Sequence, residues 1–581
     1  MTQSYSRTIR KVGLNASNSR MPRWTVDDVL LRSSKAFSNQ DGMNRLCQAI
    51  AEYFYPERAD FITTNTPGDE RYYEIFDEEP MLLRRNLANQ IGALIRPRGR
   101  EWFKTRAKPS ALNKMDPVRI WCEQVTKITR DVIYNANANF TATMTASDND
   151  YVAFGVSIVT HTYNSKRDGL IFNLLHPRDC AWYKNIDGQI DEFYEKLKHS
   201  LIQLDQMGLE LPREMVKEMA KDPHREIEII RCVYPVKYFQ GEPGSMPREA
   251  KYAVMYIAPL FKEELKPKTG VQPYFRTFPY WVREWMNVSG EPRGRSPCTS
   301  VSLATARGLN QTALSIIEGL EKLVSPPLIA PDDGIAGEVQ LRANGVTFYD
   351  PTMEYGSRSP IEALPVGRPD FGMAYAEDRK AFLARAFLQN IINFPQVTKE
   401  MTAYEAGRLW EQYMRDASPV FEPMEADNGR LMEPIFERIY DVSGPTKSGG
   451  YPEPPEELWE AEVDFEFETP LSAAYARIEF EKAMEATQYL AARVQLNPGV
   501  MDLIDHDTMD RAALTAIVPQ SWVRNEDDVE REREEREQMM QQTMMANMAI
   551  QQGAGQSGLD PNSAPQLPSP NAPIVEMARG G

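Results

Sequence analysis

Spacings of three and four between hydrophobic positions dominate the first part of the chain. Leu83, Leu87, Ile91 and Leu94 recur at four, four and three, and Val118, Trp121, Cys122 and Val125 form a similar stripe, so 29–132 reads as helical. From about Asp150 the period drops to two. Strands are predicted over 156–161, 170–175 and 190–194, the last preceded by Asp187-Gly188, a hairpin signal. A helical stretch with Leu201, Leu204, Met207 and Leu211 follows, then strands around Ile227, Ile229 and Val233 and around Tyr252, Val254 and Tyr256. Tyr274, Phe275, Phe278, Tyr280, Trp281 and Trp285 cluster behind them. Only Arg276 and Arg283 are interleaved, too few for a base-stacking surface, so the aromatics read as core.

The cleanest helical pattern covers 299–323. Leu309, Ala313, Ile316, Leu320 and Leu323 are spaced four, three, four and three, a heptad-like seam. Such a helix, about 37 Å long, wants neighbours along one face, and Pro326 and Pro327 end it. A second helical pattern runs over 371–387. Then comes a polar stretch, 389–399, with Asn390, Asn393, Pro395 and Gln396, and a helix opening on a Thr402/Glu405 capping box. Val463, Phe465 and Phe467 alternate with Glu462, Asp464 and Glu466 as a late strand, and 473–496 is helical. Residues 525–537 are nearly all charged and lead into Met539, Met540, Met544, Met545 and Met548, a helix whose later turns need a partner. The last 29 residues, 553–581, are rich in Pro and Gly and predict a disordered tail.

Composition narrows the function classes. With 66 Lys+Arg against 83 Asp+Glu the formal charge is −17, which argues against a compact basic nucleic-acid binder. Hydrophobic residues at 42% suffice for real cores, and 581 residues suggest about three to five domains or lobes. The acidity is unevenly spread: 1–25 holds Arg7, Arg10, Lys11, Arg20 and Arg23 and no acid, a mobile basic arm. No run of about 18 apolar residues predicts a membrane span. The five cysteines stand singly and read as reduced, buried thiols.

Catalytic motifs are largely missing. The segment Gly444-Pro445-Thr446-Lys447-Ser448 lacks the upstream glycine of a phosphate loop, and the five histidines never form HxxxH. The densest acidic set, Asp502, Asp505, His506, Asp507 and Asp510, is the one candidate for a hydrolase metal site. It lacks the glycine of a calcium loop, and Asp507 is well placed as a helix N-cap. An assembly protein, with neither cofactor nor metal, fits the remaining pattern.

Several stretches taken in order resemble the podovirus-type head-to-tail connector, or portal, family. They are RPRGREWF (96–103), VAFGVSIV (152–159), SPPLIAPDDG (325–334), ARAFLQNI through VTKEMTAYEAGRLWE (384–411), TPLSAAYARIEFE (469–481) and VPQSWVRNEDDVEREREER (518–536). The resemblance implies a mostly helical α+β ring subunit with wing, stem, clip and crown parts. The ring, usually of twelve subunits, would sit at one capsid vertex of a tailed-phage virion assembled in the host cytoplasm. Double-stranded DNA would slide through it in packaging and ejection. Terminase large subunit, tail adaptor proteins, and capsid and scaffolding proteins would be its partners. The alternatives are another virion or tail protein, or a hydrolase using the 502–510 cluster.

On that likeness 1–25 is the arm, 26–190 and 325–495 the wing, 191–224 and 299–324 stem helices, 225–298 the clip between them, 496–552 a helical crown and 553–581 the tail. Leu309, Ala313, Ile316, Leu320 and Leu323 would pack neighbouring subunits. Residues 389–400 would form the tunnel loop, with Asn390, Asn393, Gln396 and Lys399 facing DNA in the channel. The net acidity then makes sense, because a conduit must let a polyanion pass without sticking.

Overall fold

The computed structural model describes residues 23–63, 66, 68–72, 74–163, 169–239, 250–268, 274–324, 328–329, 362–363, 369–389, 403–443, 451–459, 461–468, 470–494, 505–517 and 526–557. Outside them fall the basic arm up to 22, the tunnel-loop residues Asn390, Asn393, Gln396 and Lys399, the Thr402 cap, 444–448, Asp502 and the tail from 558. The chain divides into two units, Met1–Ser472 and Ala473–Gly581.

In the first unit, helix α1 (Val26–Phe54) and α2 (Glu79–Ile95) precede strand β1 (Phe103–Ala107), and α3 (Asp116–Ile133) and α4 (Phe140–Phe154) follow it. Next come β2 (Val156–Tyr163), β3 (Leu170–Leu175), β4 (Cys180–Lys184), β5 (Ile190–Ser200), the short helices α5 (Leu201–Gln206) and α6 (Arg213–Met219), β6 (Glu226–Pro235), β7 (Tyr252–Ala258), β8 (Glu263–Leu265), β9 (Tyr274–Phe275) and β10 (Tyr280–Glu284). A π-helical turn, Cys298–Ser302, leads into α7 (Leu303–Val324). The unit continues with β11 (Leu328–Ile329), β12 (Glu362–Ala363), α8 (Pro369–Ala386), α9 (Ala403–Ser443) and β13 (Val463–Phe467), and α10 (Pro470–Val494) carries the chain into the second unit.

Local chemistry explains the start of several elements. Thr25 and Asp28 form a reciprocal capping box on α1, and Ser200 and Gln203 do the same on α5. The Asp187-Gly188 hairpin is present: Gly188 takes φ +75°, and Asn185 Oδ1 accepts from the N–H groups of Asp187 and Gln189. Strands β4, β5, β6, β7 and β8 pair in that order with β9 beside β7, while β10, β2 and β3 make a second sheet and β1 pairs with β13. Every one of these pairings is antiparallel.

Of the aromatic cluster expected as core, Tyr280 and Trp281 are buried, while Tyr274, Phe275, Phe278 and Trp285 are half-buried. Tyr280 stacks on Phe193 at 3.8 Å, and Trp281 donates Nε1–H to the Asp427 carbonyl of α9. All five cysteines are buried free thiols. The stripe of α2 buries Leu83, Leu87, Ile91 and Ile95, so its last core position is Ile95 where Leu94 was expected.

Three expectations of element type need correction. Residues 191–224 hold no long helix: β5 fills 190–200 because β6 pairs with it as far as Ser200, and two short helices follow. Residues 225–298 therefore do not lie between two stem helices. Their first strand, β6, is hydrogen-bonded to β5 from Phe193↔Val233 to Ser200↔Glu226, in one sheet with 180–200. At the other end, α12 (Glu526–Ser557) stays helical five residues into the segment expected to be disordered, 553–557, since Gly553 and Gly555 alone cost only about 1 kcal/mol each.

The second unit is helical where it is described, with α11 (His506–Ile517) and α12 after the body of α10. No helix among the described residues is long and apolar enough to cross a membrane.

Candidate functional site: a helical hairpin and the charged hub behind it

Helices α7 and α8 form an antiparallel hairpin. The start of α8 lies on the second half of α7, with Gly372 against Ile316, while the far part of α8 reaches back to the π-helical turn before α7. Just beyond the hairpin's ends, Leu328 and Ile329 pair antiparallel with Ala363 and Glu362.

Burial along the hairpin is graded. Leu309, Leu383 and Phe387 are fully buried, and Phe387 meets Phe54 of α1 at 5.8 Å. Ala313 and Ile316 are half-buried, whereas Leu320 is 44%, Leu323 50% and Val324 85% exposed. On α8, Phe371 is 72% exposed, and Met373, Tyr375 and Phe382 also face outward. The five-residue seam thus divides. Its first member packs inside the subunit, and its last two present exposed apolar surface, covered by none of the described residues.

The base of the hairpin is held by a strap, 74–77. Asn310 of α7 accepts from Phe76 N at 2.7 Å and donates to the Glu74 carbonyl at 2.9 Å, while Lys380 of α8 pairs with Asp77 at 2.8 Å. At the head of α7, Ser296 and Thr299 exchange side-chain and backbone hydrogen bonds, and Arg295 donates to the Thr299 carbonyl. Arg295 also grips Glu291, whose carboxyl it holds below the usual range. A π-turn at this point adds one residue per turn and re-aims the helix that follows.

Behind the hairpin, α4 spends four consecutive polar side chains on different elements. Ser147 bonds Ser157 of β2, Asp148 takes Arg96 and Arg283, Asn149 takes Arg84, and Asp150 takes Arg58. Arg96, Asp148 and Arg283 are all buried. Arg283 Nη1 lies 2.7 Å from Asp148 Oδ1 and its guanidinium sits 4.0 Å from the Tyr151 ring centroid. Gly155, at the C-terminus of α4, takes φ +73°, and a Cβ there would come within 2.4 Å of the Gly294 carbonyl oxygen. Two of the sequence stretches noted above, 96–103 and 152–159, meet at this hub, which no spacing rule foretold.

The described part of the acidic cluster in the C-terminal region is taken up by hydrogen bonds and an ion pair. Asp505, directly before α11, accepts from Thr508 N and Oγ1, which lowers its pKa, and Asp507 pairs with Arg533 of α12 at 2.7 Å. The cap is therefore Asp505 and not Asp507. Among the described residues no three His, Cys, Asp or Glu side chains are grouped to hold an ion.

A mostly helical α+β chain that leaves a rigid, partly apolar hairpin uncovered has the build of an assembly subunit. The chain belongs to the family of bacteriophage head to tail connecting proteins, whose model matches residues 29–523. Among curated relatives, the portal protein of Salmonella phage epsilon15 is 22% identical over 524 residues, covering 87% of this chain and 90% of that one. The probable portal protein of Bordetella phage BPP-1 is 20% identical over 535 residues, covering 88% and 91%. A chain from the virion of a native gene transfer agent particle aligns over 74% of this chain and 91% of its own, at 10% identity and a TM-score of 0.32.

Proposed function

We infer that this chain is a portal subunit: copies form a ring at one capsid vertex through which double-stranded DNA is packaged and ejected. The observation that carries this reading is a family match across most of the chain, joined to a hairpin whose apolar positions Leu320, Leu323, Val324 and Phe371 are left uncovered. In a ring each copy's hairpin has a neighbour on either side, and a head-to-tail contact that closes would bury those side chains.

The stem is then α7 with α8, in place of the pair first expected at 191–224 and 299–324. Residues 225–298 then join the wing with the sheets they are bonded to. The segment between α8 and α9 is the tunnel loop, and Asn390, Asn393, Gln396 and Lys399 offer donors to passing phosphates. The ring conducts and does not catalyse. Its work is that of a channel and a docking platform for a terminase motor, tail adaptors, and capsid and scaffolding proteins. The second unit supplies the helical crown.

Negative-stain microscopy with native mass measurement tests the reading. Closed rings of about twelve copies are expected. A protein that stays monomeric at high concentration, alone and with coat and scaffolding proteins, overturns it.

A further inference from the structure

Arg293, in the loop between β10 and the π-helical turn, is only 1% exposed, and one oxygen accepts from it: Nη2 donates to the Pro177 carbonyl at 2.7 Å. Its Nε and Nη1 are sealed from solvent and meet no acceptor among the described residues. Arg96 and Arg283 are buried too, but they share the carboxylate of Asp148, whereas no carboxylate among the described residues acts on Arg293. The ionisable groups that do act on it are the thiols of Cys47, which it contacts, and Cys180. Burial pushes both thiols up, so they stay protonated and bring no negative charge.

Trp182 of β4 adds a second unfilled donor. It is buried, its ring centre lies 5.8 Å from the Arg293 guanidinium carbon, and its Nε1 meets no acceptor either. The loop cannot release the arginine. Trp285 N donates to the Gly155 carbonyl at 3.0 Å and Arg295 N to the Met286 carbonyl at 2.8 Å. A Cβ on Gly294, the next residue, would stand 2.9 Å from that same Gly155 oxygen. Backbone packed this closely holds Arg293 inward whatever its charge.

A guanidinium keeps its proton in a protein, and an isolated buried charge costs far more than a missing hydrogen bond. A water molecule would fill the donors and leave the charge. An anion answers both. Enclosure among Trp182, Cys47 and Cys180, all buried, favours a small monovalent ion over a phosphate.

We propose that Arg293 and Trp182 hold a buried chloride ion, bound by Arg293 Nε and Nη1 and by Trp182 Nε1. The ion ties the loop 290–296 to β4, and through the hydrogen bonds between Ser296 and Thr299 it fixes the turn from which α7 departs. The site lies within one subunit, so the proposal goes beyond the portal reading and does not depend on it.

Two measurements on the full chain test it. In the first, thermal unfolding is followed as chloride replaces gluconate at fixed ionic strength. A ligand bound only by the folded chain raises the unfolding midpoint with its concentration, so the wild-type midpoint should climb with chloride. Trp182→Phe, which keeps a ring and loses the donor, should need at least fivefold more chloride for the same rise. In the second, wild-type crystals grown in sodium bromide should show an anomalous peak between Arg293 and Trp182. An unchanged wild-type midpoint, an equal chloride response in Trp182→Phe, or bromide at the surface alone each overturn the proposal. Where Trp182→Phe does not fold, the bromide map of the wild type decides.

Discussion

Ile316 packs directly onto Gly372: a Cβ built on the glycine would stand 3.0 Å from Ile316 Cγ1. The closeness of α7 and α8 rests on that missing side chain. Gly372→Val should wedge the hairpin open at a cost of about 1–3 kcal/mol and lower the ring fraction in native mass spectra. Gly372→Ala needs a shift of only a few tenths of an ångström, so it should assemble nearly normally.

Asp148 pairs with two buried guanidinium groups, Arg96 and Arg283. Asp148→Asn keeps the shape and removes the charge, leaving Arg96 and Arg283 buried without their carboxylate. Breaking a buried pair from one side costs about 3–5 kcal/mol. Urea unfolding should show a loss of that size, while an exposed pair such as Lys108–Glu462 should show under about 1 kcal/mol when Glu462 is changed to Gln.

Gly155→Ala should be worse than its single methyl suggests. The position has φ +73°, and the Cβ would strike the Gly294 carbonyl oxygen and the Ser296 amide, both backbone atoms with nowhere to go. Little soluble, folded protein is expected, and soluble yield with circular dichroism reads it.

Acid should destabilise the first unit through His161. This imidazole is fully buried in β2, and burial first, then the nearby Arg438 of α9, push its pKa well below 6.5. The unfolded chain binds a proton near pH 6.5 and the folded one does not, so stability is lost as pH falls below that value, by at most about 1.4 kcal/mol per pH unit. His161→Phe should flatten the unfolding midpoint between pH 7 and pH 5. A slope equal to the wild type's would refute the assignment.

Glu318 and Glu321 stand exposed on the second half of α7. If the stem faces a sliding duplex, Glu318→Lys with Glu321→Lys should retard DNA passage in a packaging assay, because fixed positive charge holds phosphate. Lys399→Ala should act in the opposite sense and weaken retention of packaged DNA in assembled rings.

Much of the secondary structure was legible because single-element periodicity carries it. Val118, Trp121, Cys122 and Val125 share a face whatever they pack on, and β3 was bounded to the residue. What failed depends on partners far along the chain. The strand β5 outran its expected end because β6, some 30 residues later, offers it a ladder; nothing local marks Leu197 as strand and not as the start of the helix after it. The hub was illegible for the same reason, since Arg96, Asp148 and Arg283 share no spacing. The seam of α7 was legible as a stripe, but sequence could not say that Leu309 faces inward and Leu323 outward.

The pairing of β1 with β13 sets a schedule for the protein's birth. Phe103 lies opposite Phe467, and Trp102, Phe103, Phe465 and Phe467 belong to the same core, which also takes α3 and the end of α9. That core cannot close until about four-fifths of the chain has left the ribosome, and long-range closure is slow. The hairpin helices α7 and α8 leave the ribosome well before then. Until the last strand arrives that core stays open, so truncated products leave Trp102 and Phe103 without the strand that covers them.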